Sequence, residues 1–338
     1  MNPSRSHPAS PFLADCHLHF EGSLPVSVVA RLARQAGHAF ADPETLADRR
    51  KSITSPQSFL ELYAEVCRLF RAPEDYEMAA QELPAALLRD GVGYAEIYVS
   101  PEIFRRIGLD PAACLEAVES GLREGVRGGG AVCKILLDTV RHWGPDAAER
   151  VLDLYESRPW TSILGFGMGG DEGAEPAARF ADAYLRARSL GLKTSVHAGE
   201  WSDARSMREA LDALRPDRID HGIAAAADAE LLARLAEEET ILCVAASGNV
   251  LTGAVPSFGE HPLPRLIGAG ARVTLSADDP LLFSTSTLAE YQKARDAFAL
   301  DEGVVRQLAE NGWRAAFCSP EEKRRGAAAL ASWRLPAG

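Results

Sequence analysis

Residues 12–20 read Phe-Leu-Ala-Asp-Cys-His-Leu-His-Phe, an apolar run that ends in two histidines one residue apart. Side chains of an extended strand alternate faces, so His17 and His19 project the same way and can share one cation. Two further apolar runs end alike: KTSVHAGE, residues 193–200, delivers His197, and RVTLSADDP, residues 272–280, delivers Asp278. Three imidazoles and one carboxylate match the nitrogen and oxygen donors that Zn²⁺ prefers, with room for a water as a further ligand. Polar groups collected at the ends of several different strands are the habit of parallel barrels.

Working outward from this stretch, eight β-rich runs recur: FLADCHLHF, VGYAEIYVS, VCKILLDTV, SILGFGMGG, LKTSVHA, RIDHGI, TILCVAA and RVTLSAD. Each precedes a stretch with helical spacing, and the later runs stand roughly 20 to 30 residues apart, one βα unit apiece. The expected fold is α/β, a TIM-type (β/α)8 barrel with extra helices capping the C-terminal mouth. A doubly wound sheet is disfavoured because no Gly-x-Gly-x-x-Gly follows the first strand. The interval at about 24–90 is too long for one crossover helix and contains SFLELYAEVCRLF and YEMAAQELPAALLRD, so it reads as a helical insertion that shields the mouth from water. Residues 1–11 read as a disordered tail and 12–338 as a single metal-dependent domain. After Asp279, TLAEYQKARDAFAL and DEGVVRQLAENGWRAAF read as the eighth helix and a closing extension.

The composition bounds the partners. With 48 acidic against 36 basic residues the net charge is −12, which repels a phosphate backbone, so no nucleic acid polymer is expected. No apolar stretch is long enough to span a bilayer, the N-terminus lacks the apolar core of a signal peptide, and nothing points to an oligomer. Cys16, Cys67, Cys114, Cys133, Cys243 and Cys318 show no framework spacing and read as buried thiols in a reducing cytoplasm.

Around the metal set lie further candidates. Glu200, just past the strand end that carries His197, reads as a general acid, since a carboxyl in a closed pocket keeps its proton for a substrate ring nitrogen. The same residue would also serve as a favourable charge at the next helix N-terminus. His221, ending RIDHG, can accept the water's proton or hold the attacking hydroxide. Asp278 and Asp279 diverge, one toward metal and one toward substrate, and the glycines of GFGMGGDE bare backbone N–H groups to a flat ligand. Arg141, after the LLDTV run, either binds a substrate carboxylate bidentately or pairs with Glu172.

In this order, HLHFEGS at 17–23, GGDE at 169–172, HAGE at 197–200, DHG at 220–222 and SADDP at 276–280, the chain resembles the adenosine deaminase family of the amidohydrolase superfamily over nearly its whole length. The resemblance implies one zinc per chain on His17, His19, His197 and Asp278, with catalysis by Glu200, His221 and Asp278. Glu200 would protonate purine N1, His221 would orient the attacking hydroxide, Gly170 would donate to N3, and Asp279 would contact N7. Hydroxide attack at C6 and loss of ammonia would give a 6-oxopurine from a small 6-aminopurine.

Departures from the family bear on the substrate. Phe20-Glu21-Gly22 replaces the usual Leu-Asp-Gly and alters the carboxylate near a ribose 5′ hydroxyl; Gly167 and Asp220 also depart from the adenosine pattern, and Asp-His-Gly is more like the adenine branch. GGDE is instead like the nucleoside branch, and CVAASGNV differs from the Cys-Pro and Ser-Asn pattern of adenine enzymes. Arg141 and the altered Glu21 together would suit aminodeoxyfutalosine; adenosine or such a 5′-modified relative is the leading expectation, and free adenine is the alternative. A cyclic-amide hydrolase lacks the second-metal ligands it needs, and a nonenzymatic zinc barrel leaves Glu200 unexplained.

Overall fold

The computed structural model describes residues 13–331 and 333–336, so the expected tail at 1–11 lies outside the described residues. Eight parallel strands follow one another in chain order: β1 Leu13–His19, β2 Val92–Val99, β3 Val132–Val140, β4 Ile163–Gly169, β5 Lys193–Ala198, β6 Arg218–His221, β7 Ile241–Val244 and β8 Arg272–Leu275. The last meets the first through a parallel bridge between Leu18 and Asp278, with His19 N–H donating to the Asp278 carbonyl at 3.1 Å. This is the (β/α)8 barrel expected from the alternation of runs. Its strands are buried almost end to end, because helices cover the outside and side chains fill the inside.

The outer helices form for ordinary reasons. In Ala204–Leu214, Asp203 caps the N-terminus by accepting from Ser206 N–H, and Met207, Ala210, Leu211 and Leu214 put one apolar stripe on the barrel. Between β1 and β2 the chain builds four helices: α1 Val26–Ala36, α2 Pro43–Arg50, α3 Pro56–Cys67 and α4 Pro73–Arg89. Proline opens the last three, where its missing N–H costs nothing. Of these, α3 lines the mouth of the barrel, while α4 packs outside against the helix Pro111–Arg127. That approach depends on Gly121 and Gly125: a Cβ at either would come within 2.7 Å of Ala80 Cβ or Pro84 Cγ respectively.

After β8 come the helices Thr287–Phe298, Glu302–Ala315 and Pro320–Leu330. Glu302–Ala315 seals the seam between β8 and β1, with Gly312 close enough that a Cβ would lie 2.7 Å from the Ala14 carbonyl. Among the described residues no helix is long and apolar enough to cross a membrane.

Candidate active site

At the C-terminal ends of β1, β5 and β8 four donor atoms converge. His197 Nε2 stands 3.0 Å from His17 Nε2 and 3.1 Å from His19 Nε2, and Asp278 Oδ1 lies 3.3 Å from both His17 Nε2 and His19 Nε2. A register shift in β1 between Asp15 and Leu18 falls where the two histidines are aimed, a common use of a bulge beside a site. Backbone carbonyls fix the tautomers of two rings: His17 Nδ1 donates to Cys243 O at 3.3 Å and His197 Nδ1 to Met168 O at 3.0 Å. Their Nε2 atoms therefore face one another, an arrangement that a shared cation makes favourable. A tetrahedral ion bound at about 2.0–2.1 Å separates its donors by about 3.4 Å, close to what these four show. The donor set fits a divalent metal.

Glu200 sits beside this cluster on the turn after β5, and the turn is held by one carboxylate. Glu172 accepts from the backbone N–H groups of Gly199 and Glu200, both at 2.8 Å, from Trp201 N–H at 3.1 Å, and from the Ser202 hydroxyl. The pairing of Arg141 with Glu172 weighed from the sequence is therefore not made. Burial, then the nearby charges of Asp278 and Glu172, push the Glu200 carboxyl well above the usual range and keep it protonated. Glu200 Oε2 lies 3.4 Å from His221 Nε2, which is itself 3.9 Å from Asp278 Oδ2. His221 and Asp278 both adopt left-handed backbone, φ 64° and 59°, a strained conformation for residues other than glycine that is typical of functional positions.

A cavity of about 240 Å³ opens onto these groups. Gly170, Asp279, His19, Glu200 and His221 all line it, as do Phe59, Tyr63 and Phe283. Gly170 has φ 88°, and a Cβ there would lie 2.9 Å from Val140 Cγ1, so the bare backbone is required. Two expected substrate contacts fall elsewhere. Glu21 is buried behind Tyr63, whose hydroxyl donates to its Oε2 at 2.8 Å, and burial lifts its pKa to about 7. Arg141 is turned away from the cavity, with Nε donating to the Glu175 carbonyl at 2.8 Å. The short 3₁₀ turn that starts at Arg141 takes its buried side chain to the Glu175 carbonyl, whereas the next residues, His142 and Trp143, line the cavity.

A family model described as Adenosine deaminase matches residues 12–333. The chain belongs to the adenosine deaminase family. It is a hydrolytic deaminase, as its relatives are. A relative named adenine deaminase, from Sinorhizobium medicae, is 36% identical over 318 residues, which are 94% of this chain and 97% of that one. The crystal structure of an adenine deaminase from Arthrobacter aurescens superposes with a TM-score of 0.90 at 29% identity, covering 96% of this chain and 99% of that one. An amidohydrolase from Burkholderia ambifaria, determined with bound zinc, gives 0.86 at 26% identity over 96% and 90% of the two chains.

Within the adenosine deaminase family pattern, the departures noted in the sequence form one packed unit. A Cβ at Gly167 would sit 2.9 Å from the Tyr98 hydroxyl, so the missing side chain makes room for Tyr98. That hydroxyl donates to Asp220, which also accepts from Ser195 Oγ at 2.8 Å and lies 3.7 Å from His197 Nδ1. Two site residues escaped the sequence reading. Asp138, near the end of β3, lines the cavity and accepts from Gly169 N–H at 3.1 Å; its place at a barrel strand terminus was the available signal. Asn249, in the short helix Ala246–Leu251 after β7, touches both Glu200 and His221 at 3.1 Å, a contact that spacing along the chain does not encode.

Proposed function

We propose that this deaminase hydrolyses the free base adenine to hypoxanthine and ammonia, with one zinc ion per chain on His17, His19, His197 and Asp278. The observation that carries the choice of base over nucleoside is Asp138. Its buried carboxyl lines the cavity, as Gly170 does, and among the described residues has a single backbone N–H, that of Gly169, as protein partner. Burial pushes this carboxyl well above the ordinary range, a cost that a donor on the ligand would relieve; adenine offers a ring N–H that a nucleoside replaces with a sugar. The names of the relatives support the same reading. The nucleoside reading also loses the two groups that suggested it, since Glu21 is engaged by Tyr63 and Arg141 by Glu175.

Bound at the four donors, the metal supplies Lewis-acid activation of a water, whose pKa falls toward about 7. Glu200 delivers its proton to ring N1, so the C6=N1 electron pair moves onto N1 as the water's oxygen adds to C6. Asp278 presents Oδ2 toward His221 and accepts the proton released by the attacking water. His221 faces that oxygen and orients it, while Gly170 N–H and Asp279 hold the ring edge. Asp278 passes that proton to the exocyclic amine, the C6–N bond breaks as the hydroxyl on C6 becomes the carbonyl and returns its proton to Glu200, and ammonia leaves, so that adenine and water are converted with all atoms conserved and both acids restored. Phe59, Phe283 and Trp201, packed ring on ring with centroids 5.1 and 6.2 Å apart, close the mouth to bulk water. Of the helices between β1 and β2, α3 serves as the cover of what we read as a single domain. A cytoplasmic setting fits six cysteines that are all free and buried.

Ammonia release from adenine, adenosine and aminodeoxyfutalosine by the zinc-loaded protein tests this. The expected result is a kcat/KM for adenine at least about tenfold above either nucleoside, corresponding to about 1.4 kcal/mol. Asp138→Asn should erase most of that preference. Equal turnover of adenosine, or a preference untouched in Asp138→Asn, would defeat the proposal.

A further inference from the structure

The hydrogen bonds behind Glu200 and His221 have a direction that one obligatory donor fixes. Leu263 N–H can only donate, and it points at His261 Nδ1 at 3.1 Å. His261 Nδ1 is therefore the acceptor, and the ring carries its hydrogen on Nε2. That Nε2–H donates to Asn249 Oδ1 at 3.2 Å, which settles which end of the Asn249 amide is oxygen. The amide nitrogen then faces the active site, 3.1 Å from Glu200 Oε1 and 3.1 Å from His221 Nδ1, with one N–H available for each. Because an amide nitrogen cannot accept, His221 Nδ1 must be bare. All four groups are buried, so no exchange with bulk water competes.

We propose that Asn249 and His261 are positioning residues that lock His221 in its Nε2–H tautomer and hold the acid proton of Glu200 on Oε2. In this state His221 is a donor facing the reaction centre, with Nε2 3.4 Å from Glu200 Oε2 and 3.9 Å from Asp278 Oδ2. It neither ligates a metal nor removes a proton through that nitrogen. By position His221 clusters with His17, His197 and Asp278 as closely as a ligand would, but a hydrogen on Nε2 denies that nitrogen to a metal and leaves His19 to complete the set. Removal of the water's proton falls to Asp278. Asn249 also occupies Glu200 Oε1, so the proton for N1 rests on the other oxygen, the one on the His221 side. Two catalytic groups are thus set by one amide whose own orientation is dictated from outside the cavity.

The catalytic consequence rests on the deaminase reading above, whereas the tautomer does not, and the experiment separates them. Nitrogen-15 NMR of histidine-labelled, zinc-loaded protein without substrate should show His221 with a one-bond proton coupling on Nε2 and none on Nδ1. In Asn249→Leu the Nδ1–H form should appear, and kcat for adenine should fall about 10²–10³-fold with KM within about threefold, the signature of mispositioned acid–base groups. His261→Gln, which keeps a donor toward Asn249 Oδ1, should retain the wild-type tautomer and a kcat within about tenfold. A coupled proton on Nδ1 in the wild type, or an Asn249→Leu protein with unchanged tautomer and kcat, overturns the proposal. If adenine is not a substrate while the Nε2–H signal is present, it is the functional reading that fails and the lock that stands.

Discussion

Gly22 and Asp279 share one space: a Cβ on residue 22 would lie 2.5 Å from Asp279 Cγ and closer still to its Oδ1. The glycine of the HFEG stretch thus serves the far end of the chain, letting the second aspartate of SADDP stand in the cavity. Burial, then the adjacent Asp278, raise the Asp279 carboxyl well above its ordinary range, so it faces the ligand as a protonated group able to donate to a ring nitrogen. Gly22→Ala must push that carboxyl aside. Misplacement of a substrate-holding group by about 1 Å costs on the order of 10²-fold in rate, and that is the loss expected in kcat/KM for adenine, with metal content unchanged. Full activity in Gly22→Ala would remove Asp279 from ligand recognition.

The Gly167, Tyr98 and Asp220 unit leads to a substitution whose failure is informative. Gly167→Asp restores the residue that adenosine enzymes of the family tend to carry. Here it would collide with the Tyr98 ring and break the Tyr98–Asp220 hydrogen bond. We expect no gain of adenosine turnover and a loss of about 1–3 kcal/mol in urea unfolding, the usual cost of leaving a buried polar partner unmade. Acquisition of adenosine activity would mean that the residue at 167 selects the substrate directly.

Glu172 holds the Gly199–Ser202 turn by accepting from three backbone N–H groups and a hydroxyl, using both oxygens. Glu172→Gln keeps the shape, but whichever oxygen becomes NH₂ then faces at least one backbone N–H, which can only donate. The acid on that turn should swing from its place, and kcat should fall more than about tenfold with a smaller change in KM. Glu172→Asp, retaining both acceptors on a shorter arm, should recover part of the loss.

Removing the metal should be felt in stability as well as in rate. Without a cation the lone pairs of His17 Nε2 and His197 Nε2 oppose each other at 3.0 Å in a buried site. Chelation should therefore lower the melting temperature, and zinc at about 1,000 times its dissociation constant should restore about 4 kcal/mol. An unchanged melting curve after verified metal loss would show that the cluster does not hold the ion.

The barrel was legible because its signals are local. Every strand is an apolar run bounded by turn residues, and His17, His19, His197 and Asp278 close their runs in plain view. What stayed hidden depends on side-chain direction and on contacts between distant segments. Arg141 follows its strand as closely as Asp278 follows β8, yet one 3₁₀ turn sends it to Glu175, and nothing in its neighbours' identities says so. Glu21 stands beside the site in sequence but is claimed by Tyr63, 42 residues away. Asn249 lies in the short helix Ala246–Leu251, and its role emerges only when β5, β6 and the segment around His261 are brought together.

His261 also gives the protein a pH-dependent stability with a defined window. Its ring is buried and its pKa is pushed down to about 4 by that burial, against 6.5 in an unfolded chain. Protonation of Nδ1 would in addition set two hydrogens against each other at Leu263 N–H. Between about pH 6.5 and 4 the unfolded chain binds this proton and the folded protein does not. The contribution is therefore fully present above pH 6.5 and is lost progressively as pH falls through the window. The gap between 6.5 and about 4 corresponds to at most about 3.4 kcal/mol. In His261→Gln the titrating group is gone while a donor to Asn249 remains, so its stability should decline less steeply than the wild type's from pH 6.5 to 4, and the two curves should run parallel above pH 7. Urea unfolding at intervals across that range measures it, and identical slopes on the acid side would show that His261 is protonated in the folded state.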